Sequence, residues 1–447
     1  MNKRALLFVA ILIIASLLLG ACQSSQAEPT AETEAEPVTE SVSEDAAESE
    51  VEEVVAGPVE IIFWHQYDSA NAEMMAELVD EFNAANADIL VTAVVQPSYD
   101  EYKTLLQTAI LSDTTPDVAA VDLIWVPGLV NNEAVQALDG IIAADSSFDI
   151  DDFYSLLVGY DVIDSSRYAV PVSANNMQVI WNKDLFTAAG LDPETPPTTW
   201  DEMQAMAEQC SNAADGVVGF EYYTQPTGEG ITWQFQVWLW AAGGEFLNAD
   251  NSAAAFNTPE GINALTYVSN MLNGHGAVPA AWGAFGDGKA CMQLDGSWLF
   301  GYRKDAAFDW AIAAVPGPEV GQTASNIGGE HLIMFKNSEN QEAVWRFMSF
   351  LSSTETQLKW DMATGFMPIR KSVGENSDYL TWVNETEPRM LPFVEGMSAA
   401  HTRPATPYYN EISDAFSREI QKAMLGETTP EDALASAEEA VNVVLDQ

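Results

Sequence analysis

Carboxylates and indoles stand close together at several points of this sequence. Asp122 is followed at three residues by Trp125, Trp64 by His65, and Trp233, Trp238 and Trp240 crowd one stretch soon after Tyr222-Tyr223. A flat aromatic face covers apolar C–H surface, while carboxylates, amides and guanidinium groups bond hydroxyls, so the pairing suits reversible capture of a hydroxyl-rich ring. Gly328-Gly329-Glu330 sets another carboxylate at a strand entrance, and Arg403, with Tyr408 nearby, supplies a cation able to grip two oxygens at once. Helical spacing brings Trp233 and Trp240 together and turns Trp238 away, so one face is core, and Trp233 or Trp238, with Tyr223, is the expected contact.

Chemistry of other kinds has little to stand on. No G-x-S-x-G, H-E-x-x-H, P-loop or C-x-x-C pattern occurs, and His65, His275, His331 and His401 are scattered without ligand spacing. No catalytic residue, metal or cofactor is therefore expected. Acids such as Asp122, Glu221 and Glu330 are compatible with a secreted glycosidase, but acidic pairs at unknown separation occur in any body this acidic and discriminate nothing.

The elements that must position these residues follow an α/β order. Val59–Trp64 is β-like, Met74, Met75, Leu78, Val79 and Phe82 share a helical face, Ile89–Val95 is again a strand, Tyr99–Leu111 a helix and Asp117–Asp122 a strand. Such alternation predicts a mostly parallel sheet with helices on its faces, whose ligands gather at the carboxyl ends of the strands, where Trp64 and Asp122 lie. A second set begins near Tyr168: strand Met177–Asn182, a helix stopped by Gly190, and helix starts at Thr258-Pro259, Thr429-Pro430 and Thr199-Trp200-Asp201-Glu202, the last with the form of a capping box.

The ends and the charge bound the setting. Lys3 and Arg4, an apolar run from Ala5 to Leu19 and Gly20-Ala21 read as a secretory signal, shorter than the roughly 20 apolar residues of a membrane span. Gln23 to Gly57 holds eleven acids, no basic residue and no aromatic one, and is expected to be a disordered acidic stalk. The remaining body is too long for one core, so two lobes are expected. The formal net charge of −50 argues against nucleic acid and large anionic ligands. Cys210 and Cys291, the other cysteines besides Cys22, leave a disulfide open.

A set of phrases along the body resembles extracellular solute-binding protein family 1, the group that includes maltose-binding protein. They are Phe63-Trp64-His65, Thr115-Pro116-Asp117-Val118, Trp181 to Phe186 with Ala189-Gly190-Leu191, Pro197 to Glu202, Gly288 to Met292, Gly296-Ser297-Trp298 and Thr364 to Pro368. The resemblance implies a type II periplasmic-binding-protein-like fold with a ligand cleft between two lobes and three hinge crossings. Lobe I would hold 58–167 plus 326–365, and lobe II 168–325 plus 366–447. It also implies that Trp298 stacks on a sugar and that Asn175 or Asn176 contacts ligand, although the position resembling Asn175 is acidic in maltose-binding protein. The implied function is the binding component of an ABC importer, a monomer that delivers a sugar to a permease. Receptors for glycerol phosphate esters or polyamines are the alternatives. Leu19-Gly20-Ala21-Cys22 is similar to a bacterial lipobox, which implies lipidation of Cys22 and attachment to the cell membrane, facing outward.

Overall fold

The computed structural model describes residues 57–224, 229–274, 276–280 and 283–447. The leader, Cys22 and the acidic stalk of the sequence reading lie outside the described residues, as does His275.

Helix Ser69–Ala85 turns Met75, Leu78, Val79 and Phe82 inward, on the face that the spacing predicts. Ser98, Thr199 and Thr429 cap the helices that follow them, each hydroxyl accepting from the amide three residues on. The box at Thr199 is shifted by one residue. The Glu202 carboxylate accepts from the Thr198 amide at 2.8 Å and the Thr198 hydroxyl at 2.7 Å, because two donors on one residue hold it better than one. Gly190 takes a φ of +74° just past helix Lys183–Ala188, where a side chain would strain the backbone.

Two five-stranded sheets form the framework. In the first, the spatial order is Ile89–Val95, Val59–His65, Val118–Asp122, Glu330–Met334, Ala169–Pro171. In the second it is Trp310–Ala313, Met177–Asn182, Ala290–Gly296, Val218–Tyr223, Ala277–Ala280. Both sheets are mostly parallel, as expected, with four of the five strands in each running the same way and one reversed. Strands reached by βαβ units pair in parallel, but Glu330–Met334 enters the first sheet from the opposite end and runs antiparallel to both its neighbours. Met177–Asn182 is antiparallel to both of its own. A strand arriving from the other sheet has no crossover helix to reverse it.

Between the sheets the chain passes through three adjacent segments. Asn175 bridges Gly328, with reciprocal backbone bonds of 2.9 and 3.0 Å, and Ala174 bridges Met367. Strand Ala169–Pro171, expected beyond the first crossing, instead pairs in the first sheet. Past Met367 the chain still returns to the first half: the Arg370 guanidinium bonds Asp152 at 3.2 Å and lies 3.9 Å over the Phe153 ring. Helices Tyr409–Met424 and Pro430–Leu445 then pack on each other and on the helices Glu229–Ala241 and Pro259–Gly274 of the second half. There a disulfide joins Cys210 to Cys291 with Cα atoms 6.4 Å apart, tying helix Trp200–Cys210 to strand Ala290–Gly296.

Candidate ligand-binding cleft

The ends of strands Val59–His65 and Val118–Asp122 in the first sheet face those of Val218–Tyr223 and Ala290–Gly296 in the second across a cavity of ≈ 540 Å³. That volume suits a small organic ligand. Trp233, Trp298, Tyr99, Tyr223 and Tyr302 present rings to it, and Asp122, Asn175, Glu229, Glu330 and Arg403 present polar groups.

Arg403 lies at the centre. It is 2 % exposed, and its two terminal nitrogens bond Asp122 at 2.7 and 3.2 Å, while one of them also reaches Glu229 at 3.2 Å. Its guanidinium carbon sits 4.1 Å over the Trp233 ring, which binds the cation by its face. Burial works against that charge, but the carboxylates of Asp122 and Glu229 outweigh it and hold the guanidinium protonated beyond its ordinary range. Asp122 also accepts from the Tyr99 hydroxyl at 2.8 Å and the Ile124 amide at 3.2 Å. Glu229 receives the hydroxyls of Tyr409 at 2.7 Å and Ser413 at 2.6 Å. Burial raises its carboxyl, and Arg403 with these hydroxyls pulls it back.

Glu330 is placed by register. It pairs directly with Asp122 at the rim of the first sheet, so two carboxylates stand side by side. Burial lifts the Glu330 carboxyl above its usual range, and the nearby charge of Asp122 adds to that, against hydrogen bonds from Ser173 and, at 3.1 Å, from Gln66. Gly328 must be glycine, because a Cβ there would stand 2.6 Å from the Trp233 ring and 2.4 Å from the Asn175 amide oxygen. That oxygen is buried without a hydrogen-bond partner, and its residue lines the cleft.

Of the residues singled out in the sequence, Asp122, Asn175, Tyr223, Trp233, Trp298, Glu330 and Arg403 come together here. Six do not. His65 points into the core between Phe63 and Tyr67, where burial lowers its pKa to about 4, and Trp64 is turned to the opposite sheet face. Trp125 is a support whose ring lies 4.8 Å from that of Tyr99. Asn176 is fully buried, donating to the Phe393 carbonyl at 2.7 Å and accepting from Gln178 at 3.1 Å. Trp238 packs among Trp200, Phe220 and Tyr267. Tyr408 packs on the core at the start of its helix, while its neighbour Tyr409 reaches Glu229.

The reading missed Gln66, Tyr67, Asp68 and Asn71, which lie just past the strand end where Trp64 and His65 were expected. It also missed Tyr99, whose signal was its place after the second strand, and Glu229, which contacts a partner 174 residues away. A second cavity of ≈ 440 Å³, between Ser155–Tyr160 and Glu245–Asn251, shares only Arg403 with the cleft. Its indole, Trp240, is already stacked on His401 at 5.0 Å. Among the described residues no cluster of metal-ligating side chains occurs, and no helix is long and apolar enough to cross a membrane.

Two α/β halves joined by three adjacent segments around a ring-lined cleft define a two-lobed binding protein of the type II periplasmic class. Residues 77–386 match the family model of bacterial extracellular solute-binding proteins, and the chain belongs to that family. A crystal structure of a cyclic alpha-maltosyl-1,6-maltose binding protein from Arthrobacter globiformis is 43 % identical, with a TM-score of 0.75, covering 87 % of this chain and 99 % of that one. An ABC substrate-binding protein of Listeria monocytogenes, solved with cycloalternan, is 26 % identical with a TM-score of 0.78, covering 87 % and 99 %. The sn-glycerol-3-phosphate-binding periplasmic protein of Salmonella typhimurium is 24 % identical over 421 residues, covering 86 % of this chain and 92 % of that protein.

Proposed function

We propose that this chain is the extracytoplasmic binding component of an ABC importer and captures a neutral oligosaccharide, with cyclic maltosyl-maltose as the first candidate. The observation that carries this reading is the state of Arg403. Among the described residues that line the cleft it is the one cation, and two carboxylates already hold it. A phosphate ester finds no unclaimed positive group there, whereas a polyol meets ring faces and hydrogen-bonding carboxylates and amides. The likeness to the Arthrobacter globiformis protein supports the choice. One observation favours a second reading: Asp68, Asp100 and Glu330 add to the acidity of the cleft and would attract a polyamine.

The two halves act as lobes that pivot on the segments around Asn175, Gly328 and Met367 and close on ligand, the state a permease recognises. In this reading the chain works as a monomer, with no cofactor and no catalytic step. Ligand binds only the folded state, so cyclic maltosyl-maltose is expected to raise the melting temperature, while glycerol 3-phosphate leaves it unchanged. A rise with spermidine alone would overturn the sugar assignment. Trp298→Ala is expected to weaken saccharide binding by about 2 kcal/mol, roughly 30-fold, by calorimetry, while Trp64→Ala leaves it unchanged.

The same reading places Cys22 at the end of a lipobox, where it carries acyl chains that tether the protein outside the cell membrane. Cys22→Ser should then move the protein from the membrane fraction to the soluble fraction and abolish incorporation of labelled fatty acid. Retention of the label in that variant would rule out the anchor.

A further inference from the structure

The first turn of helix Ser69–Ala85 meets the second half across one end of the cleft. Asn71 in that turn is 3 % exposed, and its side-chain amide donates to the Trp298 carbonyl at 3.2 Å. Against the same side chain lies Gly301, in the short helix Phe300–Arg303, where a Cβ would stand 2.1 Å from the Asn71 amide oxygen. A matching approach is made from the first half by Gly365, which ends helix Thr354–Thr364 with a φ of +82°. A Cβ on Gly365 would stand 2.5 Å from the Phe300 Cβ and 2.8 Å from the Ser297 carbonyl oxygen. Two positions without side chains, one on each half, thus let the halves meet closely. They meet on the ligand side of the joining segments, since Asn71, Trp298 and Phe366 all line the cleft.

We propose that Asn71 and Gly301 form the closing contact of the cleft: the bare Gly301 sets how far the halves approach, and the bond from Asn71 to the Trp298 carbonyl holds them there. This rests on the reading of the chain as a receptor that closes on ligand, and names the residues that set its closed angle. Gly365 lies beside the Met367 pivot, so a small displacement at this contact becomes a larger one at the mouth of the cleft. Asn71 does not turn aside freely, because rotation gives up its bond and leaves a carbonyl without that partner. A role confined to the second half does not account for Gly301, since it sits in a helix, where alanine is the better former.

The test reads closure itself, first without ligand because Asn71 also lines the cleft. Nitroxide labels on Gln107→Cys and Asn263→Cys, exposed positions on helices Tyr99–Ser112 and Pro259–Gly274, report the separation of the halves in the full chain by pulsed electron resonance. Gly301→Ala is expected to lengthen that separation and, by overpacking, to weaken binding of cyclic maltosyl-maltose roughly thirtyfold. Asn71→Ala removes one hydrogen bond and no space, so it should broaden the distances and weaken binding only roughly fivefold. The double variant should recover to the level of Asn71→Ala, because the next atom facing the new Cβ is the Thr364 carbonyl oxygen at 3.5 Å, an ordinary contact. A Gly301→Ala protein with wild-type distances and affinity overturns the proposal. So does a double variant no better than Gly301→Ala, which would place the effect of the alanine within its own half. Asn71→Ala with unchanged distances and affinity overturns it as well, without any change at the glycine. Lengthening and recovery of the distances in a protein that does not bind the saccharide support the closing contact and count only against the choice of sugar.

Discussion

Replacing Arg403 by methionine is expected to lower the stability of the folded body by about 3–5 kcal/mol at neutral pH. The stem of methionine fills most of the same space over Trp233, so the loss comes from charge. Asp122 and Glu229 approach the guanidinium from different elements, a strand of the first sheet and the start of a helix in the second half. Without it, two carboxylates remain in a buried cleft wall, with only hydroxyls and one amide to bond them. Burial already raises Glu229, and removing Arg403 removes the charge that opposes the rise. With the folded pKa above the unfolded one, the native acid keeps its proton at pH values where the unfolded chain has released it, so stability falls as pH rises. The deficit of Arg403→Met should therefore be smaller at pH 5 than at pH 8 in urea titrations. Adding Asp122→Asn and Glu229→Gln should recover most of it. A deficit independent of pH, or no recovery in the triple variant, would mean that Arg403 acts by packing alone.

This triad also marks where the sequence stops being legible. Asp122 could be found because the carboxyl end of a strand in an α/β sheet is where a ligand-facing residue belongs, and Glu330 because Gly328-Gly329 announced a tight entrance. That the two stand side by side depends on an antiparallel pairing across more than 200 residues, which local periodicity does not carry. The strand-end rule was one or two positions short at Val59–His65: alternation sends His65 into the core and Trp64 to the other face, so the loop residues Gln66, Tyr67 and Asp68, with Asn71 in the first turn of the next helix, meet the ligand space. Helix Glu229–Ala241 shows the limit of helical spacing. It separates the Trp233 side from the Trp238 side correctly, but every residue from Ile231 onward is buried, so spacing alone does not choose the cleft face. The single reversed strand in each sheet was not foreseen for the same reason, since a strand inserted from the other half leaves no local signature. Trp298 was found through the family resemblance, and the reason it sits where it does, the bare Gly296 under its ring, follows only from the backbone.

The largest pH effect is expected at a residue outside the cleft, Asp361. It is fully buried on helix Thr354–Thr364, and neither carboxylate oxygen has a hydrogen-bond partner. The hydroxyl of Tyr379, also buried, is likewise without one; burial raises its pKa and the charge of Asp361 adds to the rise. Burial alone raises the Asp361 carboxyl far above the carboxylate range. Its unfolded value is about 3.9, so above that pH the unfolded chain gives up a proton that the native state keeps. Stability is then full below about pH 3.9 and is lost as pH rises, at up to about 1.4 kcal/mol for each pH unit until the native acid also ionises. Asp361→Asn has the same shape and no titration. The variant should match the wild-type protein near pH 4 and exceed it increasingly above, by roughly 2–4 kcal/mol near pH 7 in denaturant melts. The slope of that difference is the informative quantity, because a packing change shifts stability equally at all pH. A variant no more stable at pH 7 than at pH 4 would show that Asp361 has an acceptable partner in the native state. The same slope predicts that the wild-type body tolerates mild acid better than its excess of surface carboxylates suggests.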